Sequence, residues 1–498
     1  MKKNTLILIL IFAAVFIFRL ILSFKSPVFS YDSYFHLRQI EHITTTGIPI
    51  MNDLLSYGGR TIIFMPLFHY ILGFFNLFLP LTIVAKVLVN LFASSAVFAI
   101  YLITERITKK PNPALFAAFV AGFIPIFVFQ TINKVTPLAL AIPMMFFIIY
   151  FLMRINQKEY LYLFLVFSTL LIFIHPISLL LIFGMIFYLI LLKLEKFNQK
   201  RTELETILFM TFLVFWIYFI IFKKIFLLHG PAIIWQNIPP NISHLYFANI
   251  GIIEAVFGIG LVPFLLGIYM VYKYIFVIRN RQIYLLIGFI ISTTILLWLR
   301  LISTELGLVL IGISFAILFG QFFNLFAKYI EKTRFTSFKF FIIIAFILLV
   351  VITSIIPSYY FANAAVRESV PEPTAKALQW LRHNKEDNKT IASSPKEGFL
   401  ITAVANNPNI VDFNFILIED VQERLDDLEI IYTSPYKTKA VELLNKYKVG
   451  YLLFTEQIKD QYNIEEIRYV EEDKKCFELI YDKEETKIYQ SLCEVEEY

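Results

Sequence analysis

The sequence predicts a mainly α fold: a polytopic bundle of about eleven transmembrane helices, followed by a C-terminal extracytoplasmic α/β domain. Three observations predict it. Of the 498 residues, 58% are hydrophobic, 17% aromatic and only 16% charged, whereas soluble domains sit near about half apolar and about a quarter charged. Apolar stretches long enough to cross a bilayer core of about 30 Å recur along the first 357 residues. The charge is also divided: residues 1–357 hold 27 Lys+Arg against 11 Asp+Glu, and residues 358–498 hold 17 against 27. The modest net charge of +6 is therefore a basic membrane part minus an acidic tail. An ordinary soluble enzyme is excluded by the hydropathy. A disordered chain is excluded by 54 Phe and 27 Tyr in long apolar runs.

The spans are expected near 4–23, 82–104, 114–130, 137–154, 160–176, 177–193, 205–222, 251–273, 282–298, 304–326 and 339–357. One further apolar stretch, 62–80, decides the topology. If it does not span and the N-terminus is cytoplasmic, 18 of the 27 basic residues of this part fall in loops on one side. If it spans, every later basic cluster flips outside, against the positive-inside rule. The expectation is thus a multi-pass protein of the plasma membrane with a long first outer loop (24–81), an interfacial helix at 62–80, a second outer loop at 223–250 and an extracytoplasmic tail. No small-residue cleavage site follows the first apolar run before Lys25, so a cleavable signal peptide is not expected. Since the basic clusters serve orientation, they call for no nucleic-acid partner.

In the tail, residues 373–385 read as a helix with Pro in its first turn, and short apolar runs at 389–392, 409–412 and 449–454 read as strands. Helical patterns at 397–405, 419–431 and 436–447 lie between them. The only cysteines, Cys476 and Cys493, flank two alternating strands whose turn centres on Glu484-Glu485. That turn would set them opposite one another, and outside the cytosol a disulfide is expected. Asn388-Lys-Thr390 and Asn241-Ile-Ser243 are sequons on the outer side.

The membrane interior is poor in charge, which argues against a transporter or flippase with an ionisable pathway. Polar residues gather instead on the outer face. The sharpest group is YDSYFHLR at 31–38, just after the first span. A carboxylate there is costly unless paired, hydrated or metal-bound. Asp32 with Tyr34, His36 and Arg38 offers three readings. It is a general base, a ligand for a divalent cation (Mg or Mn) that neutralises a diphosphate leaving group, or a loop carboxylate paired with Arg38. Asp53 and Arg60 in the same loop can pair with each other. Tyr34, His36, Arg38, Arg60, Lys134, His244 and Arg300 are the outer-face candidates for substrate binding, while His175 before Pro176 reads as structural.

The block from Ser30 to Phe75 (SYDSYFHLRQIEHITTTGIPIMNDLLSYGGRTIIFMPLFHYILGFF) resembles the first external loop of membrane glycosyltransferases of the GT-C superfamily, the catalytic subunit of archaeal oligosaccharyltransferase above all. In that family an Asp after the first span, followed by aromatics and a polar pair, lies at the catalytic centre. The resemblance implies that role for Asp32, with Tyr34 and Phe35 as aromatics and His36 and Arg38 as the pair. PLFHY (66–70) resembles the opening of the interfacial helix, LRLISTELGLVLIGISFAILFG (299–320) a late span whose outer Arg is Arg300, and PTAKALQWLRHN (373–384) the start of the external domain.

Two places depart from the pattern. The next external loop reads QTINKVTP (130–137), with Asn133 and Lys134 where a second acidic motif stands in oligosaccharyltransferases. SSPKEGFLITAV (393–404) stands where they carry Trp-Trp-Asp-Tyr-Gly. The resemblance then implies a GT-C transferase with a different acceptor. Its type would pair one Asp base with cations on a lipid phosphate, an ammonium replacing the metal.

The expected function is transfer of a sugar or glycan from a polyprenyl (dolichyl-type) phosphate or diphosphate to an acceptor protein, lipid or polysaccharide outside the cell. The alternative is a non-catalytic relative that binds lipid-linked glycans or assists surface-glycan assembly. Cofactor use is open between none and a divalent cation at Asp32.

Overall fold

The computed structural model describes residues 3–243, 251–333, 338–384 and 388–493. Among them, seven helices are long and apolar enough to cross a membrane, or nine if each of two bent pairs is one span. Two more apolar stretches form helices of 16 and 17 residues, α8 (Leu138–Met153) and α9 (Lys158–Ile174). Each of the eleven expected stretches is thus helical, though not all are straight.

The first span is α1 (Lys3–Ser23), and the second is a helix over Leu81–Thr108 built from α4 (Leu81–Ser94) and α5 (Ala96–Thr108). Lys86 of α4 is buried and donates to the carbonyls of Ser23 (2.8 Å) and Ser26, where the end of α1 leaves acceptors unsatisfied. The third span breaks by 49° between α6 (Pro111–Gly122) and α7 (Pro125–Thr131). Ile124 is extended ahead of Pro125, as the proline ring demands. Ser358 donates to the Phe123 carbonyl at that break.

After α10 (Ile177–Leu194) and α11 (Arg201–His229), the stretch expected as one span at 251–273 is two helices, Ile252–Ile259 and Leu261–Phe276, bent by 94°. Gly260 at the break has φ 102°, a backbone that a side chain would strain. Helices Arg281–Trp298, Thr304–Glu331 and Lys339–Arg367 complete the bundle. The last runs through Pro357 to Arg367, ten residues beyond the edge that hydropathy alone sets. Close crossings rest on small residues: a Cβ at Gly288 would lie 2.8 Å from the Tyr188 amide nitrogen on α10.

The first loop carries its own structure. It holds α2 (Ser33–Thr46), a short antiparallel pair β1 (Asn52–Asp53) and β2 (Arg60–Thr61), and α3 (Leu67–Asn76), a helix within the stretch 62–80. Phe68, His69 and Leu72 of α3 are buried, while Phe74, Leu77 and Phe78 at its end are exposed, an apolar edge suited to a bilayer interface.

The tail is α/β. Its sheet has the order β3 (Thr390–Ala392), β4 (Val449–Phe454), β6 (Thr486–Ser491), β5 (Phe477–Lys483), parallel only between β3 and β4. Helices Glu372–Asn384, Val421–Thr433 and Lys437–Lys446 match the sequence pattern. The apolar run at 409–412 is not a strand; a single bridge joins Asn409 to Ile391. Its backbone is used elsewhere, since the Asn409 amide donates to Leu55 in the first loop (2.9 Å).

The β5–β6 turn has Glu484 and Glu485 both at positive φ, and Cys476 and Cys493 are bonded with Cα atoms 4.9 Å apart. An irregularity near Ile480 shifts the register, so Leu492 rather than Cys493 donates to the Cys476 carbonyl. Peptide mapping without reductant should recover the two cysteines linked. Reduction should cost the tail about 3 kcal/mol, as expected for a loop of this length; two freely alkylated thiols in oxidised protein would refute the pairing.

Candidate active site

The end of the bundle that carries the tail is knitted around Asp32. Ser30 and Ser33 share a hydroxyl hydrogen bond of 2.7 Å across the turn that contains it. Ser33 Oγ also accepts from the Val135 amide (2.9 Å), which binds this turn to the loop between α7 and α8. In that loop Asn133 adopts φ 51°, a left-handed backbone that asparagine tolerates better than most residues. Its Nδ2 donates to the Val28 carbonyl (2.8 Å) and to Ser369 Oγ (2.7 Å), and the Val370 amide donates to Phe29. Three segments distant in sequence are therefore fixed to one another, and Lys134 is delivered beside Asp32.

Asp32 is the N-cap of α2, yet its carboxylate makes no capping bond. Its side chain is exposed between buried Tyr31 and Ser33 yet desolvated by the protein around it, which describes a recess where Lys396 of the tail lies over the Tyr31 ring. The recess is deep enough that burial raises the Asp32 carboxyl above its ordinary value, while the fields of Lys134 and Lys396 hold it down. Burial lowers the Lys134 ammonium, against the fields of Glu368, Asp32 and Glu305, which raise it. Lys134 lies 4.1 Å over the Phe129 ring, and Lys396 5.0 Å over that of Tyr31. A carboxyl raised by burial, with two lysines acting on it, is suited to take a proton from an incoming nucleophile.

The other expected residues have protein contacts of their own. Tyr34 is buried in the core. His36 is bonded through Nδ1 to Nε2 of His69 on α3 (2.8 Å), within a box of Phe35, Phe64 and Phe68. Burial, helped by the field of His175, pushes His36 down to about 3, so the imidazole is neutral and one ring donates to the other. The pairing of Asp53 with Arg60 does not occur. Arg38 binds Asp53 through both terminal nitrogens (2.6 and 2.9 Å). Asp32 is therefore not the partner of Arg38.

Arg60, expected at the substrate, is buried against Asp412 of the tail (3.0 Å), donates to the Asn414 carbonyl and stacks 4.7 Å from the Tyr57 ring. It fastens the loop to the tail. Arg300 follows the helix Arg281–Trp298 at φ 53° and is exposed, and its side chain has no hydrogen bond or ion pair among the described residues. Its charge is not among those acting on Asp32. His244 lies outside the described residues.

Lys396 was missed. The sequence shows PKEG at 395–398 within a segment that attracts notice for the Trp and Asp it lacks, not for the lysine it holds. As for a cation at Asp32, no group of three or more His, Cys, Asp or Glu side chains among the described residues is placed to hold a metal ion. The charges facing Asp32 are ammoniums, which do not form a metal donor set.

No protein-family model matches the chain. A 109-residue segment, 21% of the chain, is 31% identical to the dolichyl-phosphooligosaccharide-protein glycotransferase 2 of Archaeoglobus fulgidus. The match spans only 18% of that protein's length. The crystal structure of the Archaeoglobus fulgidus oligosaccharyltransferase superposes with a TM-score of 0.68 over 90% of this chain and 70% of that one, at 14% identity. ArnT from Cupriavidus metallidurans, solved bound to undecaprenyl phosphate, superposes with a TM-score of 0.58 over 97% of this chain and 98% of its own, at 11% identity. The fold is that of the GT-C membrane glycosyltransferases. At these identities the likeness speaks for the architecture, and the chemistry must be argued from the recess around Asp32.

Proposed function

We propose that the protein is an inverting membrane glycosyltransferase that takes a sugar or glycan from a polyprenyl (dolichyl-type) phosphate and delivers it to a protein, lipid or polysaccharide acceptor outside the cell. The N-terminus is cytoplasmic and the tail extracytoplasmic, so the recess opens at the outer membrane face. The observation that carries the reading is Asp32, uncapped and open to the recess, with two ammoniums acting on it. The GT-C fold, the undecaprenyl phosphate bound by ArnT and the short match to a dolichyl-phosphooligosaccharide transferase support it.

In the reaction, Asp32 accepts the proton of the acceptor's hydroxyl or amide as that atom forms a bond to the anomeric carbon. The carbon–oxygen bond to the lipid phosphate breaks, and the phosphate leaves with the electron pair. Lys134 stabilises the charge that grows on it, as a preorganised cation does at a developing anion. Attack opposite the leaving group inverts the anomeric centre. Tyr34, His36 and Arg38 shape the wall that holds Asp32 without touching the transferred sugar.

The test is transfer by the purified protein in liposomes supplied with a polyprenyl-phosphate sugar and extracts of surface acceptors, with products identified by mass. Transfer that persists in EDTA and yields the inverted anomer is expected. Donor binding without turnover under every metal condition would instead favour the non-catalytic reading.

A further inference from the structure

We propose that Lys396, carried by the tail, is a second phosphate-binding cation, so that a lipid phosphomonoester is clamped between one lysine of the membrane bundle and one of the tail. The inference rests on the donor class proposed above and adds a binding residue that the bundle does not contain.

Lys396 lies over the ring of Tyr31, the residue before Asp32, and its field reaches both Asp32 and Lys134. Neither lysine forms an ion pair within 4.0 Å among the described residues. Two ammoniums therefore converge on one carboxylate and repel each other, a cost that a bound anion offsets. Lys134 alone is a poor match for that anion, since Glu368 and Glu305 draw on it as well as Asp32. A phosphate entering beside Lys134 meets the acidic side chains of Asp32, Glu368 and Glu305, and a second lysine offsets them.

The turn that carries Lys396 is held rigidly. Glu397 is fully buried and accepts from Thr455 Oγ1 (2.7 Å), Ser394 Oγ (2.9 Å) and the Ser394 amide (3.2 Å). Burial raises the Glu397 carboxyl while these bonds oppose the shift, so the acid is spent inside the tail and Lys396 is left at the surface of the recess. Gly398 lies flat against the Asp412 loop. A Cβ there would stand 2.3 Å from the Val411 carbonyl oxygen and 2.6 Å from Asp412 Cβ. Asn409 donates to the Gly398 carbonyl (3.0 Å) and accepts from the Tyr57 amide of the first loop (2.9 Å). The position of Lys396 relative to Asp32 is thereby set by tail and first loop together.

The experiment measures binding of decaprenyl monophosphate in detergent micelles by the full chain, with inorganic phosphate as competitor. Lys396→Met and Lys396→Gln should each weaken decaprenyl phosphate binding by about tenfold or more, with unchanged thermal unfolding, while Lys396→Arg stays within about threefold. Asp32→Asn should bind at least as tightly as the parent but not transfer. Competition by inorganic phosphate would place recognition in the phosphate alone, and failure to compete would place it in the phosphate together with its polyprenyl chain; either supports the clamp when Lys396→Met weakens the interaction.

Parent-like binding by folded Lys396→Met and Lys396→Gln, with transfer still abolished in Asp32→Asn, overturns the clamp and leaves the glycosyltransferase reading standing. Absence of both binding and transfer in the parent protein overturns the two together.

Discussion

Replacing Asp32 with Asn should lower glycosyl transfer on the order of 10²- to 10⁴-fold, the usual worth of a positioned general base. Asp32→Ala should lose no less. The asparagine keeps the size of the side chain and removes the proton acceptor, so donor affinity should be retained while turnover falls. The loss should not come from unfolding. A carboxyl whose pKa is raised on folding is more easily ionised in the unfolded chain, so folded-state stability declines as pH rises from the ordinary carboxylate range through the raised value. At neutral pH an ionised Asp32 is a cost, and Asp32→Asn should be as stable as its parent or more so. Activity in both variants within a factor of about three of the parent would remove Asp32 from the mechanism.

The pH profile should carry the same signature. With its carboxyl raised by burial, the acid limb of kcat/KM should have its midpoint above the usual carboxylate value of about 4. The fields of Lys134 and Lys396 hold that carboxyl down. Neutralising either lysine, as in Lys134→Met, should therefore move the acid limb to higher pH. A shift to lower pH, or none, would mean that the limb reports another group.

How much of this was legible beforehand depends on the range over which each signal acts. Hydropathy is a local property, so the eleven apolar stretches and the short apolar helix α3 within 62–80 could be read directly. Straightness is not local in that sense: the 94° bend turns on the conformation of Gly260, which composition does not reveal. In the tail, alternation around Glu484-Glu485 disclosed the hairpin and its disulfide. The 409–412 segment misled because an apolar run looks alike whether it pairs with a strand or with a distant loop.

The site divides the same way. Asp32 announces itself as a carboxylate placed where one is expensive. Arg38 and Arg60 are charged residues of the same loop, and only tertiary contacts tell that both are fastened to carboxylates away from Asp32. Lys396 could not be read at all, because 364 residues separate it from Asp32 and nothing local marks it.

The second large effect concerns the tie between first loop and tail. The side chains of Arg60 and Asp412 are 3% and 0% exposed. Arg60→Met leaves Asp412 buried and without its cation, a change that costs about 3–5 kcal/mol at comparable sites. Asp412 would keep Ser56 Oγ (2.6 Å) and the Asn414 amide (2.9 Å) as donors, which do not neutralise it. The double variant Arg60→Met/Asp412→Asn should recover part of the loss, since no unpaired charge remains; a simple sum of the two single effects would mean that the pair is not coupled.

The damage should also be confined. Asn237 still donates to the Phe415 and Ile418 carbonyls (3.1 and 3.0 Å), and the Leu417 amide to His229 (3.0 Å), so the tail keeps its hold on the strap after α11. Hydrogen exchange in Arg60→Met should rise at 52–61 and 409–415 before the bundle opens, and transfer should fall with it because Lys396 is braced by the Asp412 loop. Unchanged protection in both segments would show that the remaining contacts suffice to dock the tail, and that the ion pair has another role.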